Sequence, residues 1–114
     1  MNVEAPIPFP QTTRIAEEVR FDRKELGLIL RVYGRMVAAG EWRDYAIAAM
    51  RDLAVFAVFR RTAETPLYRI EKRPKVRARQ GLYAVVGMDG RVLRRGHDLD
   101  QVLKVLERRL IGPV

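Results

Sequence analysis

Apolar residues recur at the spacing of an amphipathic helix in two stretches of the chain. The first stretch predicts a helix over 23–39, in which Asp22 is placed to cap the N-terminus and Glu25 completes a capping box. The second stretch predicts a helix over 98–110, capped by Asp98. The apolar stripes consist of Leu26, Ile29, Leu30, Tyr33, Met36 and Val37 in the first helix and Leu99, Val102, Leu103, Leu106 and Leu110 in the second.

Between these helices lie short runs of β-branched and aromatic residues, which are typical of strands. They predict strands over 53–59, 67–73, 82–87 and 91–95. The last two form a hairpin, because Asp89 and Gly90 tolerate the positive φ angles that a tight turn needs. Segment 43–50 alternates loosely and fits either a fifth strand or, because of its alanines, a short helix over 43–52. Segment 75–80 has no apolar periodicity and is predicted to be an exposed loop.

The order of these elements predicts an α+β fold with one antiparallel sheet of about five strands. Strands that follow each other through short connections pair antiparallel, and the two amphipathic helices can then pack on one face of the sheet. Residues 21–114 are predicted to form a single domain. Residues 1–20 are predicted to form an extended or flexible arm, because Pro6, Pro8 and Pro10 remove backbone donors and favour extended backbone.

The residue types of this chain provide little material for catalysis. The sequence has no cysteine and no serine, and its single histidine, His97, is expected to be a surface or turn residue. The carboxylates form neither a glycosidase-like pair nor a metal-ligand cluster. We therefore expect no enzyme activity and no cofactor. No apolar run is long enough to span a membrane, and the N-terminus lacks the pattern of a secretory signal, which indicates a cytoplasmic protein.

The net charge of the chain is concentrated in one third of its length. Segment 60–95 carries eleven basic residues and three acids, which accounts for the whole net charge of +8, while the rest of the chain is balanced. An uncompensated field of this kind favours an anionic partner. Nucleic acid is the first interpretation. Guanidinium groups bind phosphate oxygens in pairs, and a basic strand that continues into a basic loop can follow a phosphate backbone.

The predicted nucleic-acid-binding surface, for either RNA or DNA, is built from the strand over 67–73, the loop that follows it and the end of the preceding strand. Its residues are Arg60, Arg61, Arg69, Lys72, Arg73, Lys75, Arg77 and Arg79. Arg94 and Arg95 would enlarge this surface only if the strand ends converge. The alternative functions are an adaptor domain that binds an acidic protein and self-association into a homodimer through an edge strand. The charges also fit a solvated edge that prevents aggregation.

Trp42 and Tyr45 follow directly on the predicted end of the first helix. An exposed aromatic side chain here would offer a platform on which a base stacks. The alternative places Trp42 at the corner between helix and sheet, as a packing residue. We favour the packing role, because the helix stops immediately before it.

Four blocks resemble a known family in combination. They are GEWRDYAI at 40–47, AVFAVFRR at 54–61, PLYRIEKRP at 66–74 and RGHDL at 95–99. These blocks are similar to a mostly alphaproteobacterial family of small proteins that is described only as a domain of unknown function, and the resemblance covers about residues 20–110. It implies a cytoplasmic bacterial protein. It brings no activity, cofactor or catalytic residue.

Overall fold

The computed structural model describes residues 18–61 and 65–111, without the side chains of 109–111. A five-stranded antiparallel sheet lies between two long helices in sequence. The helices are α1 (Arg23–Ala38), the short α2 (Arg77–Gln80) and α3 (Leu99–Ile111), and the strands are β1 (Asp44–Ala49), β2 (Ala54–Phe59), β3 (Tyr68–Lys72), β4 (Tyr83–Gly87) and β5 (Val92–Gly96). Their order in the sheet is the order in the chain, β1-β2-β3-β4-β5. The predicted α+β fold is confirmed.

The start of α1 follows the capping pattern that the sequence contains. The backbone N–H of Glu25 donates to Oδ1 of Asp22 at 2.8 Å, and the backbone N–H of Asp22 donates to Oε1 of Glu25 at 2.7 Å. These bonds satisfy donors that the first helical turn leaves free. The helix ends where Gly40 adopts a φ of 78°, a conformation that glycine reaches without strain.

The core lies between the two long helices and one face of the sheet. Alternation along β2 directs Ala54, Phe56 and Val58 into this core, and Phe56 is fully buried. An ion pair between Arg35 and Glu107 joins α1 to α3. The opposite face of the sheet, which we call the outer face, carries alternate residues such as Arg69 and Glu71 of β3. The two long helices pack on the core face only, yet residues of the outer face such as Val55, Ala84 and Val86 are buried as well.

The structure resolves the open points at the start of the sheet. Segment 43–50 contains a strand, β1, and not the alternative short helix. Trp42 is only 2% exposed and belongs to the core, which confirms its packing role at the corner between helix and sheet and excludes the role of an exposed platform for a base. Of the predicted arm, residues 1–17 lie outside the described residues. Val19 donates its backbone N–H to the carbonyl oxygen of Met50 at 2.8 Å.

The connection between β3 and β4 corrects one prediction. Segment 75–80 was predicted to be a loop, but it forms a 3₁₀ turn over Pro74–Val76 followed by α2. Single-turn helices of this length carry too few residues to show apolar periodicity, so the sequence pattern could not reveal them. Gly81 then returns the chain to the sheet with a φ of 80°, packed directly against the backbone of Gly96.

Candidate anion-binding surface

Strand direction separates the predicted binding residues into two groups at opposite ends of the sheet. β2 ends at Phe59, so Arg60 and Arg61 lie at the end where β3 begins. β3 ends at Lys72, so the basic residues that follow it lie at the other end. A five-residue strand is about 17 Å long, which is the separation of the two groups along the sheet. The eight residues therefore do not form one continuous patch.

The larger group of cations surrounds the end of β3. It consists of Arg51 in the turn between β1 and β2 and of the residues that follow β3, and we call it the basic end: Arg51, Arg73, Lys75, Arg77 and Arg79. The ion pair between Lys75 Nζ and Asp52 Oδ1, at 2.8 Å, holds the turn against the 3₁₀ segment. This contact brings Arg51 beside the basic segment, a neighbour that the sequence analysis missed because the two segments are more than twenty residues apart.

Three members of the basic end have exposed side chains without a hydrogen-bonding or ionic partner in the described part of the chain: Arg51, Arg77 and Arg79. α2 carries Arg77 and Arg79 within a single turn. The acid of the β1–β2 turn, Asp52, is paired with Lys75. The basic end thus keeps most of its positive charge uncompensated, and such a field attracts anions over roughly 10 Å at 0.1 M salt.

Arg69 is partly neutralised by a neighbour on its own strand. Its Nε donates to Oε2 of Glu71 at 3.2 Å on the outer face of the sheet. Glu71 is buried to 8% exposure, whereas the side chain of Arg69 remains 37% exposed. The pair leaves little net charge in the middle of the outer face.

Lys72 has a structural partner on α1. Its Nζ lies 2.9 Å from Oε1 of the buried Glu25 and also donates to the carbonyl oxygen of Arg20 at 2.9 Å. The Tyr83 hydroxyl donates a short hydrogen bond to the other oxygen of Glu25. Burial first, and then the contact with Glu25, raise the pKa of this hydroxyl far above its ordinary value of 10.0. Lys72 therefore completes a polar network on the helix side of the sheet.

The smaller group at the opposite end combines arginines with apolar side chains. Arg60 and Arg61 line a cavity of about 440 Å³ together with Thr65, Leu67 and Met88. Arg91, at the start of β5, lines an adjacent cavity of about 390 Å³ that shares Leu67 and Met88. The ion contacts here are long, at 3.9 Å for Arg60 with Glu41 and for Arg91 with Asp89. This end is a second, weaker candidate for anion binding.

The remaining residues singled out from the sequence occupy separate places. Arg95 ends β5 on the side of the basic end, so it does not converge with Arg60 and Arg61. His97 is exposed in the turn before α3, as expected. In residues 18–61 and 65–111, no group of three or more acidic or histidine side chains is arranged to hold a metal ion. No helix in this part of the chain is long and apolar enough to cross a membrane.

The strand β1 forms one edge of the sheet and carries exposed apolar side chains that the charge analysis did not single out. Tyr45 and Ile47 are 42% and 50% exposed, on the face where α1 packs. Tyr45 lies 4.9 Å from the ring of Phe56 in a stacked arrangement and 5.0 Å from that of Tyr33. Exposed apolar residues on an edge strand indicate a contact surface.

Comparison with known proteins identifies the family of this chain from its sequence. A family model described as "Protein of unknown function (DUF2794)" matches residues 19–103. No curated protein and no solved structure matches the chain.

Proposed function

The chain belongs to DUF2794, a family of proteins of unknown function, and we propose that it is a non-catalytic binding module for nucleic acid. The observation that carries the proposal is the basic end, where the cations of α2 and of the β1–β2 turn meet and Asp52 is paired with Lys75. Three exposed guanidinium groups in this arrangement suit phosphate oxygens spaced along a backbone. We place this activity in the cytoplasm.

Charge reversal at matched positions tests this proposal. The first variant changes Arg51, Arg77 and Arg79 to glutamate, and the second changes Arg60, Arg61 and Arg91. The control variant changes three exposed residues of α1 without a partner in the described part of the chain: Arg23, Lys24 and Arg31. All three variants lose the same charge, so differences among them report position and not net charge. Binding is measured by fluorescence anisotropy with single- and double-stranded oligonucleotides across a salt series.

We expect the first variant to lose binding and the control variant to keep most of it. The salt dependence also has an expected size. Each lost phosphate contact should lower the slope of log affinity against log salt by about 0.7 for single strands and about 0.9 for duplex. Equal losses in all three variants would contradict a localised site. Absence of binding by the wild type at about 0.1 M salt, where the screening length is still about 10 Å, would refute the proposal.

A second candidate function, self-association, is favoured by the free edge of β1. The backbone N–H of Met50 donates to the carbonyl oxygen of Leu53, so the backbone of Met50 points toward the chain of β2. Because this direction alternates from one residue to the next along a strand, the backbone groups of Tyr45 and Ile47 point away from β2. No strand of the described residues pairs with this edge. The N–H of Tyr45 is satisfied by the Asp44 side chain of the same protomer at 2.8 Å, so pairing with a second copy would replace this bond.

A second copy fits this edge in one antiparallel register. If β1 strands pair around Ala46, Tyr45 of one protomer faces Ile47 of the other, twice, on the face that carries α1. Pairs of an aromatic and a β-branched residue stabilise such contacts by roughly 0.2–1 kcal/mol each. The same register sets Glu41 opposite Arg51, which adds opposite charges. The product would be a continuous ten-stranded sheet, about twice the observed width.

The oligomeric state decides this second candidate. Light scattering after size exclusion should give a dimer for the wild type and a monomer for Ile47→Lys, because a charged side chain would be buried in the contact. Met88→Lys is the matched control, since Met88 is 57% exposed at the turn between β4 and β5. A wild-type monomer, or a dimer that Ile47→Lys does not weaken, would contradict pairing through β1.

A further inference from the structure

One side of α1 carries apolar side chains that the core does not cover. Residues such as Ile29 belong to the core, and Arg35 pairs with Glu107 of α3 on another side of the helix. A further stripe follows the helical spacing of three and four residues, and we call it the apolar flank: Leu26, Leu30, Tyr33 and Val37. Leu30 and Val37 are 42% and 41% exposed. Exposed apolar side chains arranged in a stripe indicate a surface that packs against a partner.

The apolar flank is continuous with the exposed edge strand β1. The Tyr33 ring lies 5.0 Å from the ring of Tyr45, and Leu26 lines a cavity of about 150 Å³ together with Ile47. These contacts show that α1 and β1 run in opposite directions. The middle of the flank, at Leu30, therefore lies near the middle of β1.

Two glycines border the apolar flank although nothing inside the described chain requires them. Gly27 and Gly34 are exposed, and a Cβ at either position would meet no atom of the described residues within 4 Å. Alanine forms helices better than glycine, so the helix itself does not favour them. Together with Leu30 and Val37 they follow the spacing of residues that face a neighbouring helix. Their missing side chains would let a second helix come close.

We propose that the apolar flank packs against the same flank of a second copy, as the helical half of the dimer in which β1 strands pair. The proposal rests on the second candidate function for its partner and does not depend on nucleic-acid binding. The two-fold axis at Ala46 passes beside Leu30, so the two α1 helices run antiparallel across it. Gly27 of one protomer then faces Gly34 of the other, twice, with the Leu30 side chains between them.

A second copy fits this surface because the surface is complementary to itself about that axis. Apolar positions meet apolar positions along both α1 and β1, and no position of the stripe from 26 to 37 that forms the contact is charged. Beyond the ends of β1, Glu41 of one protomer comes opposite Arg51 of the other. Arg51 has no partner in the described part of the chain, and the contact of Glu41 with Arg60 is long, at 3.9 Å. Both charges are therefore available for a contact between copies.

Cysteine crosslinking tests the contact directly, because the sequence has no cysteine. Leu30→Cys places a thiol beside the axis on α1, and Ala46→Cys places one at the axis on β1, so each can bond to the same residue of the second copy. The control is Met88→Cys, because Met88 is 57% exposed at the β4–β5 turn, away from β1. Each whole-chain variant is oxidised in air with copper phenanthroline and followed on non-reducing gels.

We expect both axis variants to crosslink at least about tenfold faster than the control, because the dimer holds their thiols together. Fast crosslinking of Ala46→Cys alone would overturn the α1 contact and leave the pairing of β1 intact. Fast crosslinking of Leu30→Cys alone would refute the pairing of β1 and retain the α1 contact. If neither variant exceeds the control, this inference and the second candidate function are both wrong.

Replacing the glycines separates the dimer contact from the fold. Gly27→Gln and Gly34→Gln place a long side chain in the contact, whereas the control Lys24→Gln places it on an exposed part of α1 outside the stripe. Light scattering over a dilution series should show a dissociation constant at least about tenfold higher for both glycine variants, because overpacking weakens a close contact. Their melting temperatures at low concentration should not fall, since glutamine favours helix more than glycine does. An unchanged dissociation constant, or a lower melting temperature, would overturn the role of these glycines in the dimer.

Discussion

Replacing Lys72 with methionine should destabilise the protein without changing its affinity for a polyanion. Lys72 was predicted from the sequence to be a binding residue, yet its side chain is only 18% exposed and its ammonium group lies 2.9 Å from the buried Glu25 carboxylate. Methionine keeps most of the aliphatic stem of lysine and removes only the charge and the donors. The substitution therefore isolates the polar network from the packing around it.

The expected loss of stability depends on the hydrogen-bond donors that Glu25 retains in the variant. Removing one partner of a buried ion pair costs about 3–5 kcal/mol when the other charge is left uncompensated. Glu25 retains the Tyr83 hydroxyl and the backbone N–H of Asp22 as donors, which lowers the cost. Lys72 also loses its bond to the carbonyl oxygen of Arg20. We therefore expect a decrease of about 2–4 kcal/mol in the free energy of unfolding, which is a large part of the stability of a typical small domain.

Urea unfolding, followed by the fluorescence of the buried Trp42, measures this loss. The control is Lys75→Met, because the Lys75–Asp52 pair is exposed and pairs of that kind contribute about 0–1 kcal/mol. In the double variant Lys72→Met with Glu25→Gln, the uncompensated charge is absent, so the combined loss should be smaller than the sum of the two single losses. Nucleic-acid affinity and its salt dependence should match those of the wild type.

Two results would refute this account of Lys72. A loss below about 1 kcal/mol in the single variant would place the pair in the range of a surface ion pair. Strictly additive losses in the double variant would mean that Lys72 and Glu25 do not interact in solution.

Two further predictions concern the same region of the sheet. Tyr83→Phe should lower the free energy of unfolding by about 1–3 kcal/mol at neutral pH, because Glu25 loses a donor. The pKa of Tyr83 is raised in the folded state, so the stabilisation by its hydroxyl is complete below about pH 10 and falls as the pH rises further. The difference in free energy of unfolding between the wild type and Tyr83→Phe, measured with urea, should therefore shrink above about pH 10. A difference that stays constant would contradict this role of Tyr83. Gly81→Ala should reduce the melting temperature far more than Gly90→Ala, because both glycines have positive φ but only at Gly81 would a Cβ lie 2.8 Å from the backbone of Gly96. Similar melting temperatures for the two alanine variants would contradict the close approach.

Much of the fold was predictable because its signals are local. The apolar stripe and capping box of α1 depend on residues three and four positions apart, and the hairpin of β4 and β5 depends on the turn around Gly90. The alternation along β3 is also local: Arg69 and Glu71 lie on one face, and Ile70 and Lys72 lie on the other. The short helix α2 escaped prediction because a single turn leaves no periodic pattern.

The candidate site was predictable only in part, since charge in a segment does not reveal its partners. Segment 60–95 does hold the excess of positive charge, and the cations that follow β3 do cluster. The antiparallel path of the chain, however, moves Arg60 and Arg61 to the far end of the sheet and brings Arg51 to the basic end. The sequence alone therefore overstated the continuity of the surface.

By itself the sequence determined the element types, the faces of individual strands and the location of the net charge, because these depend on neighbours a few residues apart. The tertiary structure decided which charges remain available to a ligand. Lys72 is neutralised by Glu25, 47 residues earlier in the chain, whereas the exposed side chains of Arg51, Arg77 and Arg79 have no partner among the described residues. Coulomb energy and desolvation depend on distance and burial in space, and neither quantity can be read from spacing along the chain.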